Sequence, residues 1–478
     1  MKHYKIYLLA LFCTLQLSLH AEVILPRVIG SDMVLQRSKP LPIWGTATAG
    51  EQVSVRFGKQ TKTATADASG NWKVILDPLT ASDKPEVMVI NGTNSIVLKN
   101  ILIGEVWLCS GQSNMAYEMR KNSKVRKPDS LDKNSPVDEL DRPANPNIRI
   151  FWTDHKNLRT TGNYLAKWNI AQDSALRSFS AAGYFFAKKL NEELHVPIGV
   201  ICSAKSGSAI EPWTPEDAYA SVSYFKREGI SPKKDGKFYH TMIEPLAPFA
   251  ISGFLWYQGE ANMQEGISYA YKMEAMINGW RNLWADTKLP FYYVQIVPFT
   301  YSTLDPKTKI PTDKLPEFWE VQALALNIPN TAMIETTDLN DNVKNLHPSF
   351  KWEIGKRLAV VALAKTYGKK LQYSGPMYKQ MKVTGNKIEL EFTETGNGLI
   401  SNNGKPLDWF TIAGADGKFV QANAQIVNNK VVVSSSEVSA PTAVRFGWDE
   451  TAQPNLFNKE GLPAAPFRTD NPLKFIPN

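Results

Sequence analysis

The segment from residue 101 to residue 109, ILIGEVWLC, constrains the fold more than any other part of this 478-residue chain. It is almost entirely apolar, a pattern typical of a strand that is buried on both faces of a parallel sheet. It ends at the small and polar residues 110–115. Because such a strand needs a covering layer on each face, the sequence predicts an α/β domain built around it.

Further apolar strands alternate with helical patterns after this segment. The predicted strands cover 148–152, 197–203, 251–257, 289–297 and 331–337, and the predicted helices cover 179–194, 269–284 and 352–365. This alternation predicts a doubly wound parallel sheet of about five strands, in which ligands bind beyond the carboxyl ends of the strands. We expect the polar segments 118–147, 215–240 and 299–315 to be surface loops near that edge.

The flanks of this domain have a different pattern. Residues 22–100 alternate apolar and polar positions between turns of Gly, Asn, Asp and Ser, which predicts a small sandwich-like β module. Short alternating segments return in residues 371–478 and predict a C-terminal β-rich region. The expected domain order is therefore a β module, an α/β domain at 101–370, and a second β region.

Residues 1–21 have the layout of a secretory signal peptide. A short basic start is followed by an apolar core that is too short for a spanning helix, and then by a small residue at Ala21. This layout predicts a secreted or periplasmic protein without stable membrane insertion. Cys109 and Cys202 remain after cleavage, and we expect two buried thiols, although a single bridge between them is an alternative.

The charge does not indicate a nucleic-acid partner. The formal net charge is +8, which is small for this length, and the basic runs are short and lie among Pro, Asp and Ser. Such runs are typical of solvated loops rather than of a stripe that contacts phosphates. The pattern gives no indication of the oligomeric state.

Ser113 follows the buried strand almost directly and is a candidate nucleophile. Its segment lacks the Gly-x-Ser-x-Gly spacing and, taken alone, favours a helix N-cap. After the signal peptide, four histidines are available as a general base: His155, His195, His240 and His347. His347 lies in the loop after the last predicted strand, so it shares the carboxyl edge of the sheet with Ser113. A Ser–His pair activates a hydroxyl for attack on a carbonyl, but both residues could also be unrelated loop residues.

Two further strand ends provide polar groups at the same edge. The segment 256–262 places amide and acid side chains on a glycine turn, and Ser206-Gly207-Ser208 follows another strand. Such groups suit oxyanion donors or contacts to sugar hydroxyls, although a capped turn would have the same composition. Together, the four strand ends favour a serine hydrolase.

Several motifs in one order resemble the sialate O-acetylesterases of the SGNH hydrolase superfamily, whose central sheet is flavodoxin-like. The matching segments are 32–37, 42–45, 104–115, 256–260, 289–295 and 458–463. The resemblance implies that Ser113 is the nucleophile, that His347 is its base, and that Gly207 and Gln258 line the oxyanion hole with the N–H of Ser113. It implies an acetylated carbohydrate as substrate, with no metal and no cofactor.

The chain departs from the family pattern at two places. The family usually has an Asp two or three residues before the histidine, where this chain has Asn345 and Lys344. Without that carboxylate the imidazolium loses a partner, and Asp338, Asp341 or a backbone carbonyl could replace it. The other departure is Lys205-Ser206-Gly207, where the family commonly has an aromatic residue and paired glycines.

Three functions follow from these patterns. The first is a secreted esterase that removes O-acetyl groups from sialic acids through an acetyl-enzyme. The second is an esterase of the same mechanism that acts on acetylated xylan or another plant polysaccharide. The third, suggested by Asn345 and the flanking β modules, is a catalytically weak sugar-binding protein.

Overall fold

The computed structural model describes residues 22–122, 139–153, 166–227, 230, 232–304, 307 and 309–477. The predicted signal peptide, His155 and parts of the three predicted loops lie outside these residues. The strands are β1 Val34–Gln36, β2 Leu41–Thr46, β3 Gln52–Phe57, β4 Gln60–Thr65, β5 Asn71–Leu76, β6 Ser82–Asn91, β7 Ser95–Gly111, β8 Asn145–Trp152, β9 Trp168–Ala171, β10 Ile198–Ala204, β11 Gly253–Tyr257, β12 Phe291–Val294, β13 Thr331–Ile334, β14 Met377–Thr384, β15 Lys387–Thr393, β16 Leu399–Ser401, β17 Phe410–Ala413, β18 Val420–Gln421, β19 Asn423–Val427, β20 Lys430–Ser434, β21 Ala443–Phe446, β22 Leu456–Asn458 and β23 Phe467–Arg468. The α-helices are α1 Met119–Asn122, α2 Asp173–Arg177, α3 Ala181–Leu194, α4 Ser268–Leu283, α5 Lys314–Leu324 and α6 Lys351–Lys365.

The central sheet has the predicted doubly wound architecture. Its strand order is β13-β12-β11-β7-β10-β8-β9, with six parallel strands and one antiparallel edge strand, β9, within the described residues. On β7, Trp107 and Cys109 pack into one core cluster with α3 and α6, whereas Val106 and Leu108 pack into another with α4 and α5. Both faces of β7 are therefore covered, as its almost entirely apolar sequence predicts.

Strand β7 is longer than its apolar sequence indicates. Its first half pairs with β6 and β1, and its second half lies between β10 and β11. The predicted boundary at residue 100 falls inside this strand, so the N-terminal β module and the α/β domain share it. The boundaries at 100 and 370 stay predictions.

The C-terminal β region forms its own core. Two four-stranded sheets, β14-β15-β20-β19 and β18-β17-β21-β23, and the pair β16-β22 enclose it. Buried residues from several of these strands, including Leu390, Ile412 and Val444, form a separate apolar cluster. Each of these strands has one face toward this core, which explains why apolar and polar residues alternate along it.

Helix α6 approaches α3 closely enough to require a glycine. A Cβ on Gly355 would lie 2.7 Å from the carbonyl oxygen of Ala182 and 2.7 Å from the Cβ of Phe185. Because these are backbone and near-backbone atoms, the contact fixes α6 against α3. This packing sets the position of the first turn of α6, which lies next to the candidate site.

The two cysteines are free and buried, as expected. Cys109 and Cys202 are register partners on the neighbouring strands β7 and β10. Burial raises the pKa of the Cys202 thiol, which favours its protonated form. No helix in the described part of the chain is long and apolar enough to cross a membrane.

Candidate active site

Ser113 lies in a turn that is tied to the end of a neighbouring strand. Strand β7 ends at Gly111, which has a φ of +138° and where a Cβ would lie 2.2 Å from the carbonyl oxygen of Tyr257. The close approach therefore requires glycine. The backbone N–H of Gln112 donates to the same carbonyl at 3.0 Å. These contacts hold the Ser113 turn against the carboxyl end of β11.

His347 reaches this turn from the loop between β13 and α6. Its Nε2 lies 2.7 Å from Ser113 Oγ, and both side chains are half-buried. The two residues are 234 positions apart in the chain, and the sheet brings them together at its carboxyl edge. This distance is within hydrogen-bond reach, as a nucleophile and its general base require.

The other described histidines lie away from Ser113. His195 is the C-cap of α3 and has left-handed backbone. His240 is exposed and contacts Glu216 at 2.8 Å and Glu244 at 3.1 Å. His155 lies outside the described residues. Of the four candidate bases, His347 is therefore the one placed against the candidate nucleophile among the described residues.

The residues that could replace the missing acid do not bond the imidazole. Asp338 forms a bidentate ion pair with Arg357, and both side chains are buried. Asp341 is exposed, and Asn345 accepts a hydrogen bond from the backbone N–H of His347 at 3.0 Å. Among the described residues, Nδ1 of His347 has no hydrogen-bond partner. Within that part of the chain, Ser113 and His347 form a hydrogen-bonded pair without a carboxylate partner.

The surroundings of His347 favour its neutral form. Burial lowers the pKa of the imidazole, and the positive charges of Lys351 and Lys121 lower it further. A neutral imidazole can accept a proton from the serine hydroxyl, whereas an imidazolium cannot.

Asp338→Asn is expected to reduce stability without disabling the site. The change leaves the buried Arg357 guanidinium without its bidentate carboxylate, which costs about 3 kcal/mol of unfolding free energy. Urea unfolding would measure that loss. At temperatures where the variant is folded, its kcat should stay within about threefold of wild type, because loss of a true triad acid lowers kcat about 10⁴-fold. A 10³-fold loss in folded protein would show that Asp338 serves His347.

The two oxyanion candidates differ in their freedom to donate. Gly207 lies in an exposed turn after β10 with a φ of +72°, a left-handed backbone that favours glycine. Gln258 is fully buried: its Nε2 donates to Ser208 O at 3.3 Å and to Asn262 Oδ1 at 2.7 Å, and its Oε1 accepts from the Tyr269 hydroxyl at 2.9 Å. Gln258 therefore holds the loop that contains Gly207, and donation to a substrate would require it to release the longer of these two bonds.

A buried polar network that the sequence patterns did not predict lies next to the Ser113–His347 pair. Lys351 Nζ donates to Asn114 Oδ1 at 2.8 Å and to Pro348 O at 2.7 Å. Asn114 Nδ2 donates to Glu260 Oε1 at 2.6 Å and to Leu346 O at 3.1 Å. The sequence signals were present, because Asn114 follows Ser113 and Glu260 lies in the motif at 256–260, but the contact between them spans more than 140 residues.

No group of three or more His, Cys, Asp or Glu side chains in the described segments could hold a metal ion.

Comparisons with known proteins identify the family of the chain. A family model described as "Carbohydrate esterase, sialic acid-specific acetylesterase" matches residues 103–364, more than half of the chain. The chain belongs to this family. The resemblance predicted from the sequence is confirmed, and this esterase is a carboxylic ester hydrolase.

Similar proteins match this esterase over nearly its whole length. A solved structure of a carbohydrate acetylesterase from Xanthomonas citri is 33% identical, with a TM-score of 0.82, and the match covers 94% of this chain and 100% of that one. The sialate O-acetylesterase of Homo sapiens is 26% identical over 495 residues, covering 92% of this chain and 91% of that protein. The enzyme of Mus musculus is 25% identical over 514 residues, covering 92% and 93%.

Proposed function

We propose that this esterase is an exported serine esterase that removes O-acetyl groups from carbohydrates, foremost from O-acetylated sialic acids. The observation that supports this proposal most directly is the 2.7 Å contact between Ser113 Oγ and His347 Nε2 at the carboxyl edge of the sheet. This is the edge at which doubly wound sheets bind their ligands. We assign export to residues 1–21.

The reaction proceeds in two halves. His347 Nε2 takes the Ser113 proton while Oγ attacks the acetyl carbonyl carbon, and the tetrahedral oxyanion is stabilised by the N–H of Ser113 and by donors at Gly207 and Gln258. The intermediate collapses, the C–O bond to the sugar breaks, and the sugar oxygen leaves with the proton from His347. Water, activated by His347, then attacks the acetyl-enzyme, and acetate leaves as Ser113 regains its proton.

The dyad works without a carboxylate partner in this proposal. Asn345 would contribute through the backbone bond to His347 rather than through the imidazole. We expect Asn345→Ala to lower kcat by no more than about tenfold, the scale of one lost hydrogen bond, whereas loss of a triad acid lowers it about 10⁴-fold. Steady-state kinetics on a chromogenic acetyl ester measures this, with Asn342→Ala in the same loop as control. A loss above 10³-fold in folded Asn345→Ala would assign the orienting role to Asn345 itself.

The proposed preference for sialic acids is supported by the family description and by the curated relatives, which are sialate O-acetylesterases. The positive charge of the exposed Lys121 near His347 is also compatible with an anionic substrate. Acetate release from O-acetylated sialic acid, compared with acetylated xylan at equal ester concentration, tests the preference. A higher kcat/KM on sialic acid supports it, and a higher value on xylan would replace it with the plant-polysaccharide function.

A further inference from the structure

The buried network beneath the dyad has no step in the proposed reaction. Lys351 and Asn114 are both fully buried, and Glu260 Oε2 is buried without a hydrogen-bond partner among the described residues. Burying polar and charged groups costs folding free energy unless they are hydrogen-bonded or paired with an opposite charge. We therefore expect this network to have a function. It touches both segments that supply the dyad.

The contacts of the network flank His347 on both sides. Asn114 Nδ2 donates to the carbonyl of Leu346, the residue before His347, and Lys351 Nζ donates to the carbonyl of Pro348, the residue after it. The bond between Lys351 Nζ and Asn114 Oδ1 joins these two contacts. Asn114 is also the residue next to Ser113. Asn114, the residue after Ser113, is thus hydrogen-bonded directly to Leu346 and, through Lys351, to Pro348.

We propose that Asn114 and Lys351, with Glu260, form a clamp that sets the alignment of Ser113 and His347 and supplies the orientation that a triad carboxylate would otherwise give. This inference rests on the proposed function, because it assumes that the dyad performs the reaction. Asn114 and Lys351 are positioning residues, since they act through the backbone on either side of His347 rather than on the substrate.

The surroundings of Lys351 Nζ fit this task. The rings of Tyr117 and Tyr257 lie with their centroids 5.0 Å and 5.2 Å from Nζ, within cation–π range. Burial lowers the pKa of Lys351 to about 7, and Glu260 opposes that shift. The charged groups that act on the imidazole from the packed elements are Lys351 on α6 and Lys121 on α1. The clamp therefore also influences the protonation of His347.

Lys351→Met tests the clamp, because Met keeps most of the length of the side chain and removes the ammonium. We expect kcat to fall about 10- to 100-fold with KM changed less than about threefold, since small misalignments of reacting groups cost this much. We also expect the apparent pKa on the acid side of the kcat/KM profile to rise toward the ordinary histidine value of about 6.5, because a positive neighbour is gone. A merely structural substitution would not move that pKa.

The controls separate folding, clamp and reaction. Lys356→Met changes an exposed lysine on the same helix and should leave kcat and the pH profile unchanged. Asn114→Ala removes the clamp's contacts in a second way. In the double variant with Lys351→Met, kcat should fall by less than the product of the two single fold-losses. Thermal melting confirms that each variant is folded under assay conditions.

Two results would overturn the clamp while leaving the proposed function intact. One is a folded Lys351→Met with wild-type kcat and an unshifted pH profile. The other is fully multiplicative losses in the double variant. In both cases Ser113→Ala would be inactive. Failure of the proposed function itself would instead appear as acetate release that survives Ser113→Ala.

Discussion

Ser113→Ala is expected to lower kcat for acetate release by about 10⁴-fold or more, because no acetyl-enzyme can form without Oγ. The oxyanion donors and the substrate-binding groups remain, so a small residual rate above the uncatalysed reaction is expected. The fold should be unaffected, since Ser113 is half-buried and alanine is smaller. Acetate release from a chromogenic acetyl ester and from O-acetylated sialic acid measures the effect.

The matched control for this variant is Ser110→Ala. Ser110 lies on β7, three residues before Ser113, and its buried Oγ has no hydrogen-bond partner among the described residues. Removing that hydroxyl should leave kcat unchanged, because no bond is broken. If Ser113→Ala retained more than about a tenth of the wild-type rate while Ser110→Ala lost activity, Ser113 would not be the nucleophile.

His347→Ala is expected to lower kcat by about 10³- to 10⁴-fold, since Ser113 would lose the group that accepts its proton at 2.7 Å. Burial and the neighbouring lysines hold the pKa of His347 below its ordinary value. The wild-type kcat/KM should therefore rise with pH along a limb whose midpoint lies below the ordinary histidine value of about 6.5, and His347→Ala should abolish that limb.

His195→Asn is the matched control for the histidine. His195 caps α3 in left-handed backbone, a conformation that asparagine tolerates, and it lies away from Ser113. Its kcat and its pH profile should equal those of wild type. An acid limb that persists in His347→Ala but disappears in His195→Asn would show that the titrating base is not His347.

Sequence patterns predict the parts of this site that are local in the chain. The apolar run before Ser110 predicts a doubly covered strand, and its end predicts the place of Ser113. His347 is predictable for the same reason, because it follows the last parallel strand and parallel strands end at one edge. Helices α3, α4 and α6 begin and end within two residues of their predicted bounds.

The contacts that are distant in the chain could not be predicted this way. Asp338 is a reasonable acid for His347 by proximity in sequence, yet Arg357 of α6 holds it. Lys351 has the pattern of an ordinary first-turn lysine, and only the packing of α6 shows that it is buried against Asn114. Asn345, where the family has Asp, indicates that the triad carboxylate is missing, but it does not indicate the network of Asn114, Lys351 and Glu260.

Helix α5 was not predicted either. It begins at Lys314, inside the segment 299–315 that was expected to be a loop, and Pro316 lies in its first turn. A proline near a helix start is compatible with helix, because the first N–H groups have no intrahelical partner. The polar residues before α5 made the start of its apolar pattern hard to recognise, although its apolar residues pack against α4.

Covalent labelling with a fluorophosphonate, followed by peptide mass mapping, tests the central claim most directly. The reagent reacts with a serine hydroxyl that a general base has activated. We predict one label per chain, on Ser113, and none in Ser113→Ala or His347→Ala. A label on a different serine, or an unlabelled Ser113 in protein that still releases acetate, would contradict the assignment of Ser113 and His347 as nucleophile and base.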